Sequence, residues 1–87
     1  MANIRQAKKR AKQAVTRRHR NFGLRSKVRT HIKKAQEAID SEDKDTAREA
    51  YKRAAQVIDQ VANKGVLHKN AAARHKSRLN ARVRALG

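Results

Sequence analysis

Between Leu24 and Ile39 the apolar residues Leu24, Val28, Ile32, Ala35 and Ile39 recur at steps of 4, 4, 3 and 4. At about 100° per residue this places all five on one stripe about 80° wide, with Ser26, Arg29, Thr30, Lys33 and Lys34 on the opposite side. No proline interrupts the chain, and Ala, Lys, Arg and Gln, all good helix formers, dominate it. A second, wider apolar face combines Ala47, Ala50, Tyr51, Ala54, Ile58, Val61 and Ala62. A third runs from about Leu67 to Leu86 through Ala71, Ala72, Leu79 and Val83. The acidic stretch DSEDKD at 40–45 separates the first two. In it Asp43 is positioned to cap a new helix, and Asp45 suits the positive end of that helix's dipole. Gly65 follows the second face and is predicted to end the helix in the left-handed conformation. Three amphipathic segments with short connections predict an all-α, antiparallel three-helix bundle. With 87 residues the chain makes a single domain with a small core.

Residues 2–22 read differently. Ile4, Ala7, Ala11, Ala14, Val15 and Phe22 keep helical spacing, but the stripe is mostly alanine and everything around it is Arg, Lys or Gln. So little apolar surface cannot hold a helix down by burial. The segment is expected to extend the first helix past Gly23 when bound, giving a rod on the order of 50 Å from Ile4 to Ile39, and to fray when alone. The single domain 1–87 therefore divides into a basic helical extension, 1–22, and a bundle, 23–87.

The charges are segregated. All 7 carboxylates lie between Glu37 and Asp59, while residues 1–34 hold 13 Lys and Arg and residues 60–87 hold 7 more, for a net charge of +17. Such ends repel themselves and are relieved against a dense polyanion, of which nucleic acid is the densest available to a small protein. The run KKRAK at 8–12, with Arg5, Arg17, Arg18, Arg20 and Arg25, wraps most of the way round its helix and has no carboxylate neighbours to pair with. On the third helix Lys69, Asn70, Ala73, Arg74, Lys76, Ser77, Asn80 and Arg84 face away from the apolar arc. There the small Ala73 and Ser77 would let the backbone approach a phosphate chain. Aromatic residues number two, Phe22 and Tyr51. Readers of single-stranded bases use many aromatic stacking platforms, so recognition here is expected to rest on phosphates and helical shape.

Other chemistries find little support. The absence of cysteine removes disulfides, thiolate catalysis and the usual zinc sites. His68 and His75 are two turns apart, too far to share an ion, and His19 and His31 lack partners, so no metal site is expected. No Walker loop, GxSxG or HExxH occurs; no catalytic residue and no cofactor is implied, and a ribonuclease reading from His and Lys is weak. Glu49 and Arg53 have the spacing of a helix-supporting pair. The basic N-terminus has no apolar core of a secretory signal and no run spans a bilayer, which points to the cytosol. A membrane-surface helix would carry a broader apolar face than residues 2–22 offer. Charge alone leaves a DNA-compacting protein open, although no recognition-helix turn or dimer-forming heptad is evident.

The opening MANIRQAKKR, the segment RTHIKKA at 29–35 and, above all, NKGVLHKNAAARHKSRL at 63–79 resemble the bacterial small-subunit ribosomal protein family S-twenty. The pattern KG-x-x-HKN-x-AARHK falls on Lys64, Gly65, His68, Lys69, Asn70, Ala72, Ala73, Arg74, His75 and Lys76. The similarity spans the whole chain. It implies a three-helix bundle with a long first helix that binds 16S ribosomal RNA in the body of the 30S subunit early in assembly, at the 5′ domain and the 3′ minor domain. It further implies a cytoplasmic monomer within the ribosome, with few or no protein contacts and no membrane. The implied RNA contacts are Asn3, Ile4, Ala7, Lys8, Lys9 and Arg10, then Ser26, Arg29, Thr30, Lys33 and Lys34, then the residues of the HKN pattern. Residues 11–25 match loosely, so Lys12, Arg17, Arg18, Arg20 and Arg25 are contacts by charge alone. The family's Gly-Asp turn reads Glu42-Asp43 here.

Overall fold

A computed structural model describes residues 2–87. It contains three helices, α1 (Ala2–Asp40), α2 (Lys44–Asn63) and α3 (Lys69–Ala85), and no strand among the described residues. α2 turns back along the C-terminal half of α1, and α3 turns back along α2. The end of α3 is tied to the start of α2 by the Lys44 ammonium, which donates to the Gly87 carbonyl at 2.7 Å. It is tied to the end of α1 by Arg82, whose guanidinium meets the Asp40 carboxylate at 3.0 Å. The bundle is therefore antiparallel, as the three faces predict.

The core is small and built largely of short side chains. Val28, Ala35 and Ile39 of α1 meet Ala47, Ala54, Val57, Ile58 and Val61 of α2, and Ala72, Leu79 and Val83 of α3 close the third side. Ala35, Ala47 and Ala54 are fully buried, so these helices approach closely where their faces carry only methyl groups. α2 lies between its neighbours. Ala50 borders α1 and Tyr51 borders α3, which is why its apolar face is the widest. Val57, absent from the expected face, is buried because a helix packed on two sides buries more than a single stripe.

The turns follow from local chemistry. Asp43 caps α2: its carboxylate accepts the Asp45 and Thr46 backbone N–H groups at 3.2 and 3.4 Å and the Thr46 hydroxyl at 2.8 Å. These bonds, the hydroxyl's first, hold its pKa below the ordinary carboxylate value. α2 ends in a Schellman motif. Gly65 N–H donates to the Ala62 carbonyl at 3.0 Å and Val66 N–H to the Val61 carbonyl at 3.3 Å. Gly65 takes the left-handed φ of 78° that this geometry demands. α3 begins at Lys69, two residues later than the expected Leu67. Val66 and Leu67 pack against the core through a bend, His68 is extended, and its imidazole Nδ1 caps the new helix by accepting Asn70 N–H at 3.0 Å.

α1 runs unbroken through Gly23, and residues 3–20 are exposed on every side. The molecule measures 66 × 20 × 13 Å, its long axis set by α1. Gly23, the poorest helix former in α1, stands where the rod leaves the bundle.

Two outcomes follow from the packing. Ile58→Asp places an unpaired charge where the side chain is 0% exposed and should abolish cooperative thermal unfolding of the bundle; wild-type melting would show that α2 does not pack on this face. Glu42 occupies the left-handed region with φ 62°, where a side chain is strained and glycine is not. Glu42→Gly should therefore raise stability by about 1 kcal/mol, or roughly 4–8 °C in Tm, measured by circular dichroism.

Candidate nucleic-acid interface

α1 carries 13 Lys and Arg against Glu37 and Asp40, and α3 carries 6 with no carboxylate, whereas α2 sets 4 against 3. Folding therefore gathers positive charge on α1 and α3 and leaves α2 nearly balanced. The two ion pairs among the described residues both use cations of α3, Lys76 with Asp59 at 2.8 Å and Arg82 with Asp40 at 3.0 Å. No cation of α1 enters one. Asn3, Arg5, Lys8, Lys9, Arg10, Lys12, Arg17, Arg18 and Arg20 are exposed around the projecting rod, and Arg25, Arg29, Lys33 and Lys34 continue the charge along the bundle.

α3 leans more on α2 than on α1, and an open groove remains between α1 and α3. Arg25 and Arg29 of α1 and His75 of α3 stand around it over Val28, Ile32, Val61 and Leu67. The exposed face of α3 presents Asn70, Ala73, Arg74 and Ser77 at helical spacing of 3, 1 and 3 residues, a low strip in which only Arg74 is bulky. Lys64 and Lys69 flank it at the Gly65 turn. A phosphate backbone laid over this strip meets side-chain donors without steric obstruction.

Several residues have local duties as well. Lys76 is half-buried, and its bond to Asp59 raises its pKa above the ordinary lysine value. It is a helix-to-helix tie, because Asp59 of α2, remote in sequence, comes to face it on folding. The Thr30 hydroxyl donates to the Ser26 carbonyl at 2.9 Å, which leaves its oxygen to accept. Ser26 is half-buried. His68 uses Nδ1 as the acceptor in the α3 cap, which leaves Nε2 of this exposed ring as the donor. The Glu49–Arg53 pair that spacing allows is not formed; both side chains instead border a cleft with His31 and Lys34. Arg78 is exposed on α3 beyond the residues singled out from sequence, and the absence of any nearby carboxylate was the available sign; Arg84, placed on the outer face from sequence, is exposed as well. No three ligating side chains gather in a metal-binding group, and no helix is long and apolar enough to cross a membrane, among the described residues.

The profile of the family Ribosomal protein S20 matches residues 2–84. The chain belongs to this family. A relative from Azotobacter vinelandii, named small ribosomal subunit protein bS20, is 61% identical over all of this chain and 96% of its own length. Relatives of the same name from Nitrosomonas europaea and Acinetobacter baylyi are 56% and 60% identical, covering 100% and 99% of this chain and 100% and 97% of their own. The S20 family thus accounts for the whole chain, the rod as well as the bundle.

One titration is tied to this geometry. His31 is half-buried where α1 meets α2. Its pKa is lowered from 6.5, first by burial and then by the charges of Lys34, Arg53 and Lys27. The unfolded chain therefore takes up this proton at a higher pH than the folded one, and stability falls as pH drops through and below the ordinary imidazole range. The loss in Tm between about pH 7.5 and about pH 5.5 should be smaller in His31→Gln than in wild type; an equal loss would assign the proton uptake elsewhere.

Proposed function

We propose that this chain is a structural constituent of the small ribosomal subunit that binds 16S ribosomal RNA through phosphates and shape, without catalysis. The observation that carries the proposal is the state of α1: 13 cations, none in an ion pair. An exposed rod of that charge is stable only when counterions or phosphates neutralise it, and neutralisation by RNA releases the condensed counterions. The relatives' name, small ribosomal subunit protein, supplies the setting: the ribosome, in the cytoplasm.

The shape favours two RNA elements rather than one. The rod reaches well beyond the bundle, while the α1–α3 groove and the Asn70–Ser77 strip form a separate surface beside it. We assign these two surfaces to the 5′ domain and the 3′ minor domain, with the rod inserted between RNA helices whose phosphates would otherwise repel. The chain acts as a monomer with few or no protein contacts. Ordering of the rod accompanies binding, and phosphate contacts offset its entropy.

Arg17, Arg18 and Arg20, changed together to Gln, test this reading. Binding to 16S ribosomal RNA should weaken, and the slope of log K against log salt should flatten by roughly 0.7–0.9 for each phosphate left without its arginine. An unchanged slope would show that these side chains meet no phosphate, and tighter binding to plain duplex DNA than to the ribosomal RNA would overturn the proposal.

A further inference from the structure

The fold treats the two aromatic residues differently. Tyr51 is half-buried between α2 and α3, whereas Phe22 is 73% exposed, the most exposed large apolar side chain described. Phe22 is not a continuation of the bundle core. At about 100° per residue, Ile4, Ala11, Val15 and Phe22 share one line along α1, and that line is rotated roughly 120° from the stripe Leu24 to Ile39. No turn of α2 or α3 reaches it, so packing within the chain does not account for the ring.

Its surroundings are cationic. On one side of Phe22 an open groove is bordered by Arg17, Arg18, Asn21 and Arg25. On the other a second one is bordered by Val15, Arg18 and His19. No carboxylate occurs before Glu37. A second copy of this chain would bring a matching row of arginines against these and be repelled. An apolar peptide would leave them unpaired. A nucleotide satisfies both halves: a flat apolar base for the ring and a phosphate for the guanidiniums, with Asn21 beside them as a hydrogen-bonding group.

We propose that Phe22 is a stacking platform for one unpaired nucleobase of the bound RNA, with Arg17, Arg18 and Arg25 gripping the phosphates beside it. This rests on the RNA-binding function above and adds to it a class of contact, base stacking, that phosphate and shape recognition do not include. The ring is tolerant of base identity, since every base offers a π face, and it fixes the rod's position along the RNA where charge alone would let it slide.

The test uses the full chain and 16S ribosomal RNA transcribed in vitro. Phe22→Leu keeps an apolar side chain and favours helix. It should weaken binding about 5- to 150-fold while leaving the salt slope unchanged, because the substitution removes a stack and spares every phosphate partner. The chain has no tryptophan, so Phe22→Trp introduces a lone indole; it should bind as wild type does, and its emission should be quenched by the RNA. Wild-type affinity in Phe22→Leu, or indole emission indifferent to RNA, overturns the proposal. So does an emission change on self-association without RNA, or on anionic phosphatidylserine vesicles at physiological salt, since each gives the ring a different occupant. Wild-type protein that fails to bind the RNA at all overturns the RNA-binding function itself and this proposal with it, whereas tight wild-type binding with an unaffected Phe22→Leu removes only the stack.

Discussion

Repulsion among the cations of α1 and α3 is the constraint to which the rest of the molecule answers. A net charge of +17 on 87 residues opposes any compact state. A core whose largest fully buried side chains are Ile58 and Val61 supplies limited burial against it. The fold meets this constraint by division. It buries α1 only from about Leu24 onward, places the nearly neutral α2 between the two basic helices, and lets the densest charge project away as a rod. The carboxylates gather at the end of α1, in the α1–α2 turn and on α2, and two of them, Asp40 and Asp59, reach α3. Both pairs are partly exposed, so each contributes modestly to stability; their larger effect is to fix how α3 sits.

That placement decides which cations remain available. Lys76 and Arg82 are drawn into the bundle's own ties, while Arg74, Lys69 and the whole of α1 stay unpaired. The candidate interface is thus what folding leaves over: a basic rod, a basic-rimmed groove and a low strip of Asn70, Ala73 and Ser77. Rigid caps hold the strip in place. The Schellman turn at Gly65 and the His68 cap set where α3 starts, and so where Lys69 and Asn70 stand exposed. Stability and the proposed binding are directly related here, since the anchors of α3 border the surface proposed for RNA.

The Glu42 backbone shows the same economy in a different form. The turn needs one residue with positive φ before the Asp43 cap, and this chain places a glutamate there. The local strain is tolerated because Asp43, Thr46 and the α1 C-terminus determine the turn from both sides.

Much of this was legible in the residues. The 4-4-3-4 spacing, the Asp43 cap, the Gly65 stop and the segregated charges required three helices and an anionic partner, because periodicity and capping are local and act within a few residues. The sequence pattern also set residues 2–22 apart, since a stripe of alanines cannot anchor a helix; residues 3–20 are exposed on every side. Other features were settled only by contacts between distant segments. Val57 became core because α2 is packed on two sides. Lys76 stopped being a free cation because Asp59, seventeen positions away, came to face it. His68 became a cap instead of part of α3. Phe22 and Tyr51 already stood on different stripes; how far each ring is covered was set by the assembled bundle, which half-buries Tyr51 and leaves Phe22 73% exposed. Such outcomes depend on which surfaces meet in three dimensions, and no window of neighbouring residues contains that information.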